Sequence, residues 1–571
     1  MKDRLKIFAF VPLVIAIVLL TRLFWWQIIK GRSLSEKARN QYQSHKLLRA
    51  SRGNILASDG NSLAINKDVW NIYASKPDLS KHPQDLAPIL AKIFSDDPSD
   101  GGKVNQEEDR LEKLLSAKNT TWVALKKRID QEKKQELENF SLKGINFEED
   151  HERSYPEASM SAQLLGFVGK NDEGDDTGFY GLEGYYDTVL SGKQGFLQRE
   201  KDARGVPTLL GASQESPAVG GVNLLTHIDK SIQIVTEKKL TEGIARYGAK
   251  SGLAAIMNPK TGGIVAMSSF PSYDPLKYWE FSEDFFRNPI ISDSFEPGSI
   301  FKPLVMAAAL DSGVVTPDAR CDICAGPVKV DKYEIATWDK KYRADATMTD
   351  IIVHSDNVGM TFVAQKLGAD RLYDYLEAYG LGKKTGIDLQ GEVDSFLRKK
   401  ATWNIVDLAT AGFGQGIAVT PIQMLQGISV IANKGLKVGP PQVVDKIVKD
   451  GWEEDIKPEM GKRVISQKAA NEITEMMVKA VKNGEAKWTA AKGFKIAGKT
   501  GTAQIPVSGH YDENKTIASF IGFAPADDPK FVMLVSLTEP TTSPWGSETA
   551  APLWFSIARD IFPYLGIQPE D

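Results

Sequence analysis

The chain has 571 residues, 42% of them hydrophobic, which is enough apolar material for large buried cores and for up to about four average domains. Its 70 basic and 74 acidic residues nearly cancel, so a nucleic-acid-binding surface is not its main business, and the apolar content argues against bulk disorder. The first predicted element is IFAFVPLVIAIVLLTRLFWWQII, Ile7–Ile29, with Arg22 as its single charge. It is long enough to cross a bilayer, and Arg22 can snorkel to the headgroups beside Trp25 and Trp26. Lys2, Arg4 and Lys6 precede it, which predicts a cytoplasmic N-terminus (1–6), a single-pass anchor (7–29) and everything later outside the cytoplasm. A cleaved signal peptide is the rival reading, but no small-residue cleavage site follows the apolar run.

From 30 to 220 the sequence is polar and interrupted. RLEKLLSAKNTTWVALKKRIDQEKKQELENF, Arg110–Phe140, carries heavy charge at helical spacing and reads as solvated helices, and SDDPSDGG, Ser95–Gly102, reads as a loop. No catalytic constellation stands out, so a spacer or docking role is expected. After Gly221 the texture changes. GVNLLTHI predicts a strand, Asp229 caps a helix that follows it, and SGLAAIM and IVAMSSF are strands joined by Asn258–Gly263 as a hairpin. An inner apolar helix, further helices and late strands then predict an α/β (α+β) domain in which an antiparallel sheet is covered by helices.

Within that domain FEPGSIFKPLVMAAALDSG, residues 295–313, places Ser299 three positions before Lys302 at the start of an apolar helix that Gly313 can stop. Ser and Pro303 are both ordinary helix-start residues, and a Ser with Lys three positions on occurs by chance about twice in a chain this long. Other motifs raise the stakes. HSDNVGM supplies Ser355, Asp356 and Asn357, and IAGKTGTAQIP supplies Lys499, Thr500, Gly501 and Thr502. Ser299 is the only serine with Lys at the third position after it, and Ser355 the only one with Asn at the second. A serine hydroxyl is a poor nucleophile until a base takes its proton, and Lys302 lies one helical turn away. Burial and a neighbouring cation can keep such a lysine neutral part of the time. Ser355 can relay the proton, Asn357 can hold a substrate backbone, and a cationic Lys499 with the Thr500 and Thr502 hydroxyls can grip a carboxylate. A second Lys-Thr-Gly, Lys260–Gly262, sits in the hairpin and reads as turn chemistry. The only cysteines, Cys321 and Cys324, admit a local disulfide, two reduced thiols or half of a zinc site that His354 could complete.

Ser-x-x-Lys, Ser-Asp-Asn and Lys-Thr-Gly in this order form the signature of penicillin-binding proteins and class A β-lactamases. The chain resembles the class B penicillin-binding proteins, monofunctional peptidoglycan D,D-transpeptidases, over nearly its whole length. RGNILASDGNSLA (Arg52–Ala64, with Ala57-Ser58 where the family usually has Asp-Arg), RSYP (Arg153–Pro156), GLEGYYD (Gly181–Asp187) and GFGQGIAVTPIQM (Gly412–Met424) are similar to family segments. The resemblance implies an elongated, dimerisation-like non-catalytic pedestal at 30–220 and a penicillin-binding transpeptidase domain at 221–571; no glycosyltransferase domain fits between the anchor and Gly220, unlike in the bifunctional class A proteins. It implies Ser299 as nucleophile on the D-Ala-D-Ala carbonyl, Lys302, Ser355, Asn357 and Lys499 as its catalytic companions, and Thr500, Gly501 and Thr502 as substrate-binding residues. The backbone N–H groups of Ser299 and Thr502 would form the oxyanion hole, and neither metal nor organic cofactor is needed. Expected partners are peptidoglycan stem peptides as donor and amine acceptor, β-lactams, and a polytopic glycosyltransferase with divisome or elongasome proteins. A D,D-carboxypeptidase or β-lactamase-type hydrolase and a β-lactam sensor are the alternatives, for which the anchor and pedestal, and the intact triple motif, respectively, are superfluous.

Overall fold

The structure, a computed structural model, describes residues 2–95, 97–118, 120–200, 213–449, 451–457, 459, 461–507 and 510–570, with side chains for these except 2–9, 39–46, 506–507 and 510–514. The side chains of Lys2, Arg4 and Lys6 therefore lie outside the described residues. Helix α1 (Lys2–Phe24) runs on through a π-helical turn at Trp25–Ile29. Its stretch Phe10–Ile29 is long and apolar enough to cross a membrane, and none of it is buried by protein. An apolar helix left uncovered in this way fits a membrane anchor.

By packing, the chain forms two compact units, Met1–Arg52 with Ser191–Gly221, and Gly53–Leu190 with Val222–Asp571. The first holds α1, a helix at Gly31–Tyr42 and an antiparallel sheet of Gln43–Leu48, Gly195–Glu200 and Ser213–Ser216. The second contains two main sheets. One orders its strands Trp452–Asp455, Val444–Lys449, Asn223–Thr226, Ile55–Leu56, Ser62–Ser75 and Trp122–Ile129, with Ile145–Ser154 also paired to the long strand Ser62–Ser75. Strands from both sides of residue 220 thus share one hydrogen-bonded ladder. The charged stretch 110–140 departs from its reading as helix. Helices at Gly101–Ser116 and Gln131–Asn139 flank a strand, Trp122–Ile129, that pairs with Trp70–Ser75. Only Leu125 and Ile129 of that strand are buried, so its partner rather than its own pattern holds it extended. Three of the family-like segments meet in this unit. The Arg153 guanidinium donates to the Glu183 carboxylate at 2.6 Å and to the Gly53 carbonyl at 2.8 Å, a buried ion pair that ties the segments together without touching the serine motifs.

The second sheet carries the motifs. Helix α2 (Lys230–Tyr247) starts at Asp229, whose side chain accepts from the Ile232 N–H. Strands β1 (Ser251–Met257) and β2 (Ile264–Phe270) form the expected hairpin. Helices α3 (Lys302–Asp311), α4 (Asn357–Leu367), α5 (Pro421–Ala432) and α6 (Gln467–Asn483) come next, then strands β3 (Ala497–Val507), β4 (His510–Ala524) and β5 (Phe531–Thr538) and helix α7 (Ala550–Ile561). The antiparallel order is β2-β1-β5-β4-β3, so β3 is an edge strand. Strands β1 and β5 read as almost unbroken apolar runs because both faces are covered. Met533, Val535 and Leu537 join a core with Trp554, Phe555 and the apolar side of α2, while Val532 and Leu534 join the opposite core with α3, α5 and α6. Helix α3 is the inner helix, every residue from Lys302 to Leu310 being buried.

Candidate active site

Ser299 lies in a 3₁₀ turn, Gly298–Phe301, that runs directly into α3. The caps of these two helices are Pro297 and Phe301, and neither involves a side-chain hydrogen bond, so Ser299 is not the helix cap that its residue type suggested. Lys302 begins α3 with no exposed surface. Its ammonium donates to the Ser355 carbonyl at 2.6 Å, the Asn357 Oδ1 at 2.7 Å and the Ser355 hydroxyl at 3.2 Å, which satisfies all its protons. Among the described residues no hydrogen bond joins Lys302 to Ser299 directly, and the ammonium is held by the Ser355 loop instead. Ser355 itself has φ +57°, a left-handed conformation that a serine adopts only when its surroundings hold it there. The turn aims both its carbonyl and its hydroxyl at Lys302. Asp356 then caps α4 through the Gly359 N–H, and the Asn357 amide donates to the Ala336 carbonyl at 3.3 Å.

Edge strand β3 supplies the third motif. Lys499 is buried, and its ammonium donates to the Thr500 carbonyl at 3.0 Å and hydroxyl at 3.1 Å. The Thr502 hydroxyl accepts from the Gly546 N–H at 3.0 Å. Gly501 sits where β3 crosses the Ser299 turn. A Cβ there would lie 2.8 Å from Ile300 Cγ2 and 3.3 Å from the Ile300 nitrogen, so only glycine lets the strand approach this closely. Ser299, Ser355, Asn357, Thr500, Gly501 and Thr502 together line one cleft of about 80 Å³, with Lys302 and Lys499 buried beside it. Burial, reinforced by the Lys499 charge, pushes the Lys302 pKa well below the ordinary lysine range, against the pull of Glu485 and Asp356. Burial lowers Lys499 as well, opposed by Glu485.

Sequence reasoning missed part of this lining. Glu485 accepts from the Thr500 hydroxyl at 3.0 Å, and the exposed Trp338 and Trp545 approach to 5.4 Å between ring centroids at the cleft mouth. Phe413 and Gln415, from the family-like segment Gly412–Met424, complete the wall. The second Lys-Thr-Gly stays apart. The Lys260 ammonium pairs with Asp528, the Asn258 side chain accepts from the Lys260 N–H, and Gly262 has φ +78°, as a turn requires. Cys321 and Cys324, both buried, form a disulfide in the loop after α3, which closes the three readings in favour of the first.

Residues 252–562 match the family described as Penicillin binding protein transpeptidase domain, and residues 47–226 match Penicillin-binding Protein dimerisation domain. Stage V sporulation protein D of Bacillus subtilis (strain 168) is 32% identical over 575 residues, spanning 100% of this chain and 86% of that protein. Peptidoglycan D,D-transpeptidase FtsI of Escherichia coli (strain K12) is 29% identical over 556 residues, spanning 97% and 90% respectively. Among solved structures, Penicillin Binding Protein 2X from Streptococcus thermophilus superposes with a TM-score of 0.75 at 25% identity, covering 92% of this chain and 81% of that one.

Proposed function

Because this chain belongs to the class B penicillin-binding proteins, peptidoglycan D,D-transpeptidases and targets of penicillin, we propose that Ser299 is its acylated nucleophile and that the two buried lysines divide the remaining work. The observation that carries this reading is the convergence of three motifs, scattered over about two hundred residues of sequence, on one cleft beside two buried lysines.

Lys302, which donates to the Ser355 and Asn357 loop and whose pKa is pushed down by burial and the Lys499 charge, is the base, and Lys499, held by Thr500 on β3, is the standing cation. The Ser299 hydroxyl attacks the carbonyl between the two D-alanines of a donor stem peptide. Its proton passes to Lys302, directly or through the Ser355 hydroxyl, and then to the departing D-alanine amine. An amine of a neighbouring stem attacks the resulting ester, its proton returns through the same groups, and Ser299 is released as the cross-link forms. The N–H groups of Ser299 and Thr502 donate to the developing oxyanion, each such donor being worth about 10²–10³ in rate. Asn357 holds the donor's backbone while Lys499, Thr500 and Thr502 hold its carboxylate, and β3, as an edge strand, lets the peptide lie alongside it. A β-lactam acylates the same serine.

The region 30–220 serves as pedestal and 221–571 as catalytic domain. The basic residues before the anchor keep the N-terminus in the cytoplasm, so the cleft works outside the membrane. A polytopic glycosyltransferase is the expected membrane partner. Peptide mapping of the penicillin adduct tests the assignment. The added mass belongs on the peptide holding Ser299 and disappears in Ser299→Ala, and an adduct on Ser355 or on no peptide refutes it.

A further inference from the structure

Glu485 belongs to none of the three motifs. It follows Gly484 at the end of α6, and the ordinary reading of such a residue is a solvated loop carboxylate with an incidental neighbour. Three observations set it apart. It is the one acidic residue among those lining the cleft. Its place is fixed by the backbone: a Cβ at Gly484 would lie 2.4 Å from the Ala480 carbonyl and 2.8 Å from that of Val353, so the end of α6 is pressed against the helix leading to the Ser355 turn. Its partner is a threonine that is itself only 8% exposed and within 3.1 Å of Lys499.

The direction of the hydrogen bonds follows from what each group can do. An ammonium only donates and an ionised carboxylate only accepts. The Thr500 hydroxyl, with one proton, must therefore accept from Lys499 and give its own proton to Glu485. In the resting cleft that hydroxyl has no proton left for an incoming carboxylate. The Lys499 ammonium and the Thr502 hydroxyl are then the groups that first meet the donor's end, and Thr500 joins only by leaving Glu485.

We propose that Glu485 is a positioning residue of this cleft: its carboxylate takes the Thr500 proton, orients that hydroxyl as an acceptor for Lys499, and so holds the ammonium in place as the cleft's cation. This rests on the transpeptidase reading above. The charges around the pair are balanced two against two. Lys302 from α3 has Asp356 from the Ser355 turn nearby, and Lys499 from β3 has Glu485 from the end of α6. His354 also feels Glu485, but burial and Arg343 push its pKa down while Asp350 and Asp339 pull the other way. Removing the Glu485 charge leaves two buried ammonium groups against Asp356 alone, and both lose their protons more readily.

The test is the rate of acylation by a fluorescent penicillin against pH, on the full-length protein in detergent, with the adduct mapped. Acylation needs Lys302 neutral and Lys499 charged, so the rate rises through the first group's pKa and falls through the second's. Glu485→Gln keeps an acceptor for Thr500 and removes the charge. Both limbs then move to lower pH, with acylation about tenfold faster than wild type at a fixed pH on the acid limb and about tenfold slower on the alkaline limb. Glu485→Asp restores the wild-type profile. Glu485→Ala, which asks nothing of the loop geometry, gives the same two displacements if the Gln variant does not fold. Limbs that stay at their wild-type positions in the charge-free variants, whatever the uniform change in rate, overturn the proposal, because a carboxylate that only braces the loop moves neither. A wild-type protein that is not labelled at Ser299 removes the reading beneath it, which distinguishes the two failures.

Discussion

Replacing Lys302 by methionine puts the catalytic and structural readings of the buried lysine into direct opposition. Lys302 is 0% exposed, so the substitution acts entirely inside the core, and methionine keeps most of its volume. Three hydrogen bonds disappear, and the Ser355 carbonyl and Asn357 Oδ1 lose a donor, at about 1–3 kcal/mol for each group left unpaired. Against this stands removal of a buried cation whose dehydration costs several kcal/mol. Burial and the Lys499 charge together outweigh the attraction of Glu485 and Asp356, so the surroundings as a whole disfavour that charge. The melting temperature of Lys302→Met is therefore expected to match or exceed that of wild type, while penicillin acylation falls about 10²–10⁴-fold with the loss of the base. The comparison depends on pH. Burial first, and the Lys499 charge second, make Lys302 bind its proton less readily in the folded protein than in the unfolded chain, so the lysine weakens the fold at neutral pH. That penalty fades as pH rises through the folded pKa toward the ordinary lysine value. The methionine variant's advantage in melting temperature is thus greater at neutral pH than in alkali. A variant that loses labelling and melting temperature together, at every pH, would show Lys302 to be a structural strut and refute the base assignment.

Lys499→Ala is expected to cripple acylation and Lys260→Ala to leave it near normal, because the Lys260 ammonium pairs with Asp528 at the protein surface; equal losses in labelling rate would reverse that division. Changing Cys321 and Cys324 together to Ser opens so short a loop that chain entropy predicts a loss of only about 2 kcal/mol, read by thermal melting, with Ser299 still labelled. A folded double variant that cannot be acylated would instead tie the disulfide to the cleft. Protease added to intact spheroplasts should digest everything after the anchor, and full protection would invert the topology.

The site was largely legible because each motif is local: Ser299 and Lys302 are one turn apart, Ser355 and Asn357 share a loop, and Lys499 to Thr502 follow one another on β3. What each side chain touches was less so. Helical spacing suggested that Lys302 faces Ser299, yet the 3₁₀ turn and the left-handed Ser355 hand the ammonium to the neighbouring loop. Glu485 precedes Lys499 by too many residues for any local pattern, and Trp338 and Trp545 meet only through long-range folding. The hairpin around Asn258–Gly263 was readable from its turn residues and the two apolar runs on either side of them. The strand Trp122–Ile129 was not, since charges dominate its sequence and the ladder that fixes it comes from Trp70–Ser75.

The ladder shared across residue 220 bears on how this enzyme can be cut down for study. Leu224 and Leu225 pair in parallel with Ile55 and Leu56, and on their other side with Ile447 and Lys446. A fragment beginning near residue 221 would keep the second neighbour and lose the first. It would bare the backbone of Asn223–Thr226 along one side and uncover Leu224 and Ile228, which are wholly buried in the intact chain. An open strand edge beside fresh apolar surface invites self-association. Expression trials that retain Gly53–Leu190 should therefore give monodisperse protein where minimal catalytic fragments precipitate.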